Sequence, residues 1–198
     1  MKSVARELVE KNGVDADKLV DLLVRCAASE FASYYYLSLL RINLIGAEGE
    51  ALKKLVEDIR LEDRNHFEAL LPRIYELGGA MPSPICDNSG SPIADVLQAQ
   101  DVRATVETLM KSAEFSVRAY TQLCNMTCGK DNRSYSLALA ILHEEIEHQV
   151  WFLDFIARGV KEGFTHATAP RGASPFVAKF LHSVTPRPTT TPPRRLAY

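Results

Sequence analysis

The sequence predicts an all-α fold: a four-helix bundle with one long crossover between its second and third helices. Three observations predict it. Four long segments carry apolar residues at helical spacing, and no stretch alternates as a strand would. Glycines or capping residues punctuate those segments at hairpin distance. The second and third are joined by about 20 residues rich in Pro, Gly and Ser, far longer than a tight helix–helix turn and long enough to run back along a bundle.

The first helix is expected from about Asp17 to Ile45, ending at Gly46. The second runs from about Glu48 to Leu77 and stops at Gly78-Gly79. The crossover, Ala80 to Gln100, leaves room for a short helix at Pro92–Gln98. The third helix spans about Val102 to Cys128 before Gly129, and the fourth starts at the capping residue Asp131 and ends near Gly159. Residues 1–16 read as an N-terminal extension, 17–163 as the bundle and 164–198 as a Pro/Thr/Arg-rich tail, extended or disordered apart from a short helix around Phe176 to His182.

Bulk composition narrows the function classes. The chain has 198 residues, 46% hydrophobic and 24% charged, with a formal net charge of −2. These are the proportions of a soluble globular domain with a sizeable core. No run approaches the roughly 18 apolar residues of a membrane span. The charged start MKSVARELVEKNG lacks the apolar region of a secretory signal, so a cytoplasmic location is expected. Cys26, Cys86, Cys124 and Cys128 form no zinc-finger pattern, and free thiols are the default there. Charge is uneven. The last acid is Glu162, and Arg171, Lys179, Arg187, Arg194 and Arg195 follow it.

Each helix carries acids on its core face. In the fourth, Glu145 and His148 interrupt the stripe Ala138, Ile141, Leu142, Phe152, Phe155, Ile156. In the second, Asp63 and His66 interrupt Val56, Ile59, Leu70, Ile74, Leu77. The first has Glu30 among Leu19, Leu23, Cys26, Leu37, Leu40 and Leu44. The third has Glu114 among Val106, Met110, Val117, Thr121 and Cys124. Depths match. Glu30 lies 16 residues before Gly46 and Asp63 17 after it, while Glu114 lies 15 before Gly129 and Glu145 16 after it. At about 1.5 Å per residue each is roughly 24 Å from its hairpin tip, near mid-height of a 30-residue helix. Four buried carboxylates repel one another and are costly to desolvate, whereas two divalent cations cancel them and take two imidazoles as ligands. This is the arrangement known from di-metal carboxylate bundles. Mixed oxygen and nitrogen donors suit iron or manganese, with zinc as an occupant. Glu62, Glu144 and Glu147 read as solvated neighbours. Glu107 is two turns off the layer. Tyr34 lies a turn after Glu30, near the metals or simply packed.

These residues resemble the ferritin-like superfamily and, helix by helix, its bacterioferritin-type di-iron sites. Glu30 matches the first-helix ligand, Glu114 the third-helix ligand, and Glu145 with His148 the fourth-helix pair, with Trp151 three residues on. The second helix departs: it reads Asp63-x-x-His66 where the family has E-x-x-H. Aspartate is one methylene shorter, so a bridging position needs closer helices or another binding mode, and Glu62 is the alternative acid. The phrases EDRNHFEALLPRIYELGG and CNMTCGKDNRSYSLALAILHEEIEH are similar to Dps-like proteins of the thioferritin type, and the resemblance spans about Asp17 to Ile156.

The resemblance implies an intrasubunit di-iron site within a twelve-subunit Dps-like shell. It implies a ferroxidase that oxidises Fe(II) with hydrogen peroxide or dioxygen, stores Fe(III) and protects against oxidative stress. A redox cysteine pair near the site is also implied, best matched by Cys86 and Cys124. Two alternatives stand beside it. One is a di-metal peroxidase or catalase, of rubrerythrin or manganese-catalase type, that stores nothing. The other is a DNA-binding Dps-type protein, using the basic tail on phosphates.

Overall fold

A computed structural model describes residues 3–83, 85, 90–158 and 174–181. Among them the regular structure is entirely helical, in the order α1 (Val4–Lys11), α2 (Ala16–Asn43), α3 (Gly46–Glu76), a 3-10 segment (Pro92–Gln98), α4 (Val102–Thr127), α5 (Asn132–Arg158) and a 3-10 turn (Ala178–Phe180). The four expected helices are α2 to α5. The short crossover helix falls at Pro92–Gln98 as expected.

Local chemistry sets the ends. Asp15 caps α2 by accepting from the amides of Asp17 and Lys18, each at 3.1 Å. Asp101 caps α4 through the Ala104 amide at 2.7 Å. At the end of α3, Gly78 takes φ +80°, a left-handed conformation that glycine adopts without Cβ strain. Gly79 then passes so close to Val20 that a Cβ would lie 2.4 Å from its methyl. Asp131 starts α5 by accepting from the Ser134 amide, and its other oxygen takes Arg73 at 2.6 Å. Burial pushes the Asp131 carboxyl up. The bonds from Ser134 and Arg73 outweigh that, so it ends below its ordinary range.

Two apolar clusters show how the helices run. One holds the start of α2 (Leu19, Leu23), the end of α3 (Leu70, Ile74), the end of α4 (Tyr120, Leu123) and the start of α5 (Leu137, Ile141). The other holds the end of α2 (Leu37, Leu40), the start of α3 (Leu52, Leu55), the start of α4 (Val106, Leu109) and the end of α5 (Phe152, Phe155). The helices α3 and α4 therefore run parallel, as a crossover requires, and the two hairpin tips lie at opposite ends. The crossover segment buries Ile93 and Val96 in the second cluster. Between the clusters lies a buried polar layer.

Two further segments pack on the bundle. Residues 1–16 contain α1, capped by Ser3 and packed by Val9 into the first cluster. Arg6 ties α1 to the Leu77 carbonyl and to Asp17. In the tail, Ser174 to Leu181 folds onto the bundle, with Val177 fully buried. The expected helix there is a 3-10 turn over Ala178–Phe180, and His182 lies outside the described residues.

Candidate metal centre

The polar layer gathers Glu30 from α2, Asp63 and His66 from α3, and Glu145 from α5. One ligand atom of each lies within 4.8 Å of all the others, and all four residues are buried. His148, one turn beyond Glu145, completes the layer with Nδ1 3.5 Å from Glu145 Oε2. Its ring centroid is 6.1 Å from that of His66.

Both imidazoles are oriented the same way. His66 presents Nδ1 to the cluster, 3.3 Å from Glu30 Oε2 and 3.2 Å from Glu145 Oε1, while its Nε2 meets Glu144 Oε2 at 2.7 Å. His148 turns Nδ1 toward Glu145 and Nε2 to Glu62 Oε2 at 2.8 Å. A carboxylate behind each ring fixes the proton on Nε2 and leaves the Nδ1 lone pair for a cation. Glu62 and Glu144 are therefore not solvated neighbours: both are buried, and both hold a histidine. The signal for them was the acid immediately before each site acid, in Glu62-Asp63 and Glu144-Glu145. Asp63, rather than Glu62, is the second-helix acid that faces the cluster.

The structure does not bring Glu114 to the site: it is exposed. The buried face of α4 runs through Val106, Leu109, Ala113, Tyr120 and Leu123, and Glu114 is rotated off it. The polar groups α4 offers to this layer are Ser112 and Ser116, which line the same small cavity as Asp63, Glu145 and His148. The third helix also supplies a group that the sequence reading missed. Tyr120 donates its hydroxyl to Glu30 Oε1 at 2.6 Å. Tyr34 lies under the Arg60 guanidinium.

Of the expected cysteine pair, Cys86 lies outside the described residues. Cys124 is a buried free thiol one turn beyond Tyr120. Cys26, which the sequence reading passed over, is closer to the chemistry. With Glu30 and Tyr120 it lines a cavity of about 260 Å³ between α2 and α4. Burial and the Glu30 charge push its thiol well up, so it stays protonated.

Charge in the layer is resolved by protons. Burial, followed by Glu30 and Glu145, holds the Asp63 carboxyl well above its ordinary range. Burial and Glu145 raise Glu30 too, against His66 and Tyr120. Burial also acts to raise Glu145, but His148 and His66 outweigh it and hold this group low. Both imidazoles are depressed by burial and raised further by their carboxylates, ending well above 6.5. Divalent cations can take the place of these protons. The donor set fits: three carboxylates and two imidazoles converge, and Glu145 Oε1 makes no hydrogen bond among the described residues. Oxygen with imidazole nitrogen suits iron, manganese or zinc.

No helix among the described residues is long and apolar enough to cross a membrane. A family model described as a ferritin-like domain matches residues 20–160. The chain is 48% identical, over 184 residues, to a protein of Pyrococcus furiosus named "DNA protection during starvation protein", covering 89% of this chain and 96% of that one. Among solved structures it resembles the dodecameric thioferritin of Bacteroides fragilis, described as a bacterioferritin-related protein. The TM-score is 0.68 at 23% identity, over 80% of this chain and 97% of that one. The chain is a Dps-like protein and belongs to the ferritin-like family.

Proposed function

We propose that the protein is a ferroxidase that takes up Fe(II) at Glu30, Asp63, His66, Glu145 and His148, oxidises it, and stores Fe(III) inside a Dps-like shell. The observation that carries this is the convergence of four ligand residues to within 4.8 Å at mid-bundle. The overall step balances as two Fe(II), one hydrogen peroxide and two protons giving two Fe(III) and two waters. A two-electron oxidant matched to a pair of irons releases no hydroxyl radical, which is the basis of protection against oxidative stress. Dioxygen is the other oxidant. The protein's part is to orient the donors and exclude bulk water. Glu62 and Glu144 aim the imidazoles, and Tyr120 holds the Glu30 carboxylate in place. The cavity between α2 and α4 reaches Glu30 and offers a small oxidant a route inward. The named relative and the dodecameric structural neighbour support a homo-oligomeric cage of twelve.

The test is Fe(II) oxidation by peroxide or dioxygen, followed by Fe(III) absorbance, with sizing of the loaded particle. Replacing Glu145 and His148 together by alanine should abolish oxidation with the helices intact. Oxidation at the parent rate would defeat the reading. Peroxide consumed with no iron retained would move it to a di-metal peroxidase.

The relative's name favours one addition, DNA binding. The cations after Glu162 would contact phosphates, and a gel shift lost steeply with salt would support it.

A further inference from the structure

We propose that the segment Ser174–Leu181 is a strap that positions His66 through Glu144, so that the affinity of the centre for a divalent cation depends on this segment being docked. The inference rests on the metal-centre reading above and extends it to residues far from the ligands in sequence.

The strap reaches the site with backbone rather than side chains. The amides of Phe176 and Val177 both donate to Glu144 Oε1, at 2.8 and 2.9 Å. The other oxygen of the same carboxylate takes His66 Nε2 at 2.7 Å. Glu144 is fully buried, so it has no water to replace these donors. The chain of contacts runs from strap amide to carboxylate to imidazole, and the Nδ1 of that imidazole faces the cluster.

The strap is built to stay in register. Ser174 is buried and accepts from Asn65 Nδ2 through its hydroxyl at 2.9 Å. Its φ of +35° is the single positive value on a non-glycine among the described residues. A left-handed residue with a Cβ is costly and persists where surrounding contacts over-determine it. Here it closes a turn in which the Ser174 carbonyl accepts from Val177 and Ala178, and that turn aims the two amides at Glu144. Val177 buries its side chain completely in the cluster below. The other imidazole lacks such support: among the described residues, Glu62 receives only His148. The two sides of the centre are thus held to different degrees.

The test is cobalt(II) binding to full-length protein, read by visible absorption and by competition with a chelator. Val177→Pro removes one of the two amides. Val177→Asp keeps the amide but expels the strap by placing a charge in an apolar pocket. Both should weaken cobalt(II) binding by about 10–100-fold and alter its spectrum, as loss of a ligand's supporting carboxylate does. Val177→Ala keeps the amide and trims only the buried methyls, so it should weaken binding less than either. Circular dichroism checks the helices, and tryptic cleavage after Lys179 reports release of the strap. A variant with its helices intact and its strap released that binds cobalt(II) with the parent's affinity and spectrum overturns the proposal. Collapse of the bundle in both variants overturns it too, because the segment is then structural. A parent chain that takes up no cobalt(II) defeats the metal-centre reading itself, a separate result.

Discussion

Glu144 of α5 holds His66 of α3 at 2.7 Å, and the chain repeats that bond in reverse, with Glu62 of α3 holding His148 of α5 at 2.8 Å. The two helices carry the same pattern, an acid that grips the partner helix's histidine, an acid that faces the cluster, and a histidine three residues on. Each helix thereby orients the other's imidazole, and the α3–α5 pairing is part of the site. Glu62→Ala should free the His148 ring and weaken divalent-cation binding by about 10–100-fold. Calorimetric titration with zinc(II) measures it, and a binding isotherm equal to the parent's would remove Glu62 from the site.

Glu114 should be dispensable. Residues two apart on a helix differ by about 200° in direction. Ser112, not Glu114, stands 33 residues before Glu145, the same interval that separates Glu30 from Asp63. Ser112 is accordingly buried and Glu114 exposed. Glu114→Ala should leave iron oxidation at the parent rate, and Glu30→Ala should abolish it. A large loss with Glu114→Ala would mean that α4 rotates on loading.

The depth of the layer was legible because it depends only on counting residues from hairpin glycines. The bundle was legible from apolar residues at helical spacing, and the crossover from the length of the Ala80–Gln100 connector. The facing of α4 was not. Met110 and Val117 look like core positions, while the residues lining the site are Ser112, Ala113 and Ser116, small or polar types that do not stand out in an apolar stripe. Glu62 and Glu144 were misjudged because a single stripe per helix was read as buried, whereas a helix in a bundle touches two neighbours and buries a wider face. The segment showed in the sequence as a short helix, but its docking on Glu144 did not, because backbone amides bind Glu144 and every residue type here but proline carries an amide.

Tyr120→Phe removes the hydroxyl without creating a cavity and leaves the buried Glu30 Oε1 without its donor at 2.6 Å. The cost in the metal-free protein should be about 1–3 kcal/mol, visible as a drop of several degrees in melting temperature. A bound cation would neutralise the same oxygen, so the deficit should shrink on adding zinc(II). Equal melting temperatures for parent and variant without metal would show that the hydroxyl does not stabilise Glu30.

The metal-free protein should lose stability as pH rises. The folded values of His66 and His148 lie well above 6.5, so their stabilisation is complete below 6.5 and drains away as pH climbs through the folded values. Asp63 and Glu30, raised above 3.8 and 4.5, act in the same direction, because the folded state keeps protons that the unfolded chain has released. Glu145 is depressed, so its contribution is present above 4.5 and is lost as pH falls toward its folded value. Stability of the metal-free protein should therefore fall as pH rises above 4.5, through Asp63 and Glu30 first, and more steeply above 6.5, where His66 and His148 join them. With zinc(II) bound, the ligands have already released their protons, and the decline should flatten. Melting curves from pH about 5 to about 9, with and without metal, decide it. Parallel curves would show that these five side chains do not exchange protons for cations.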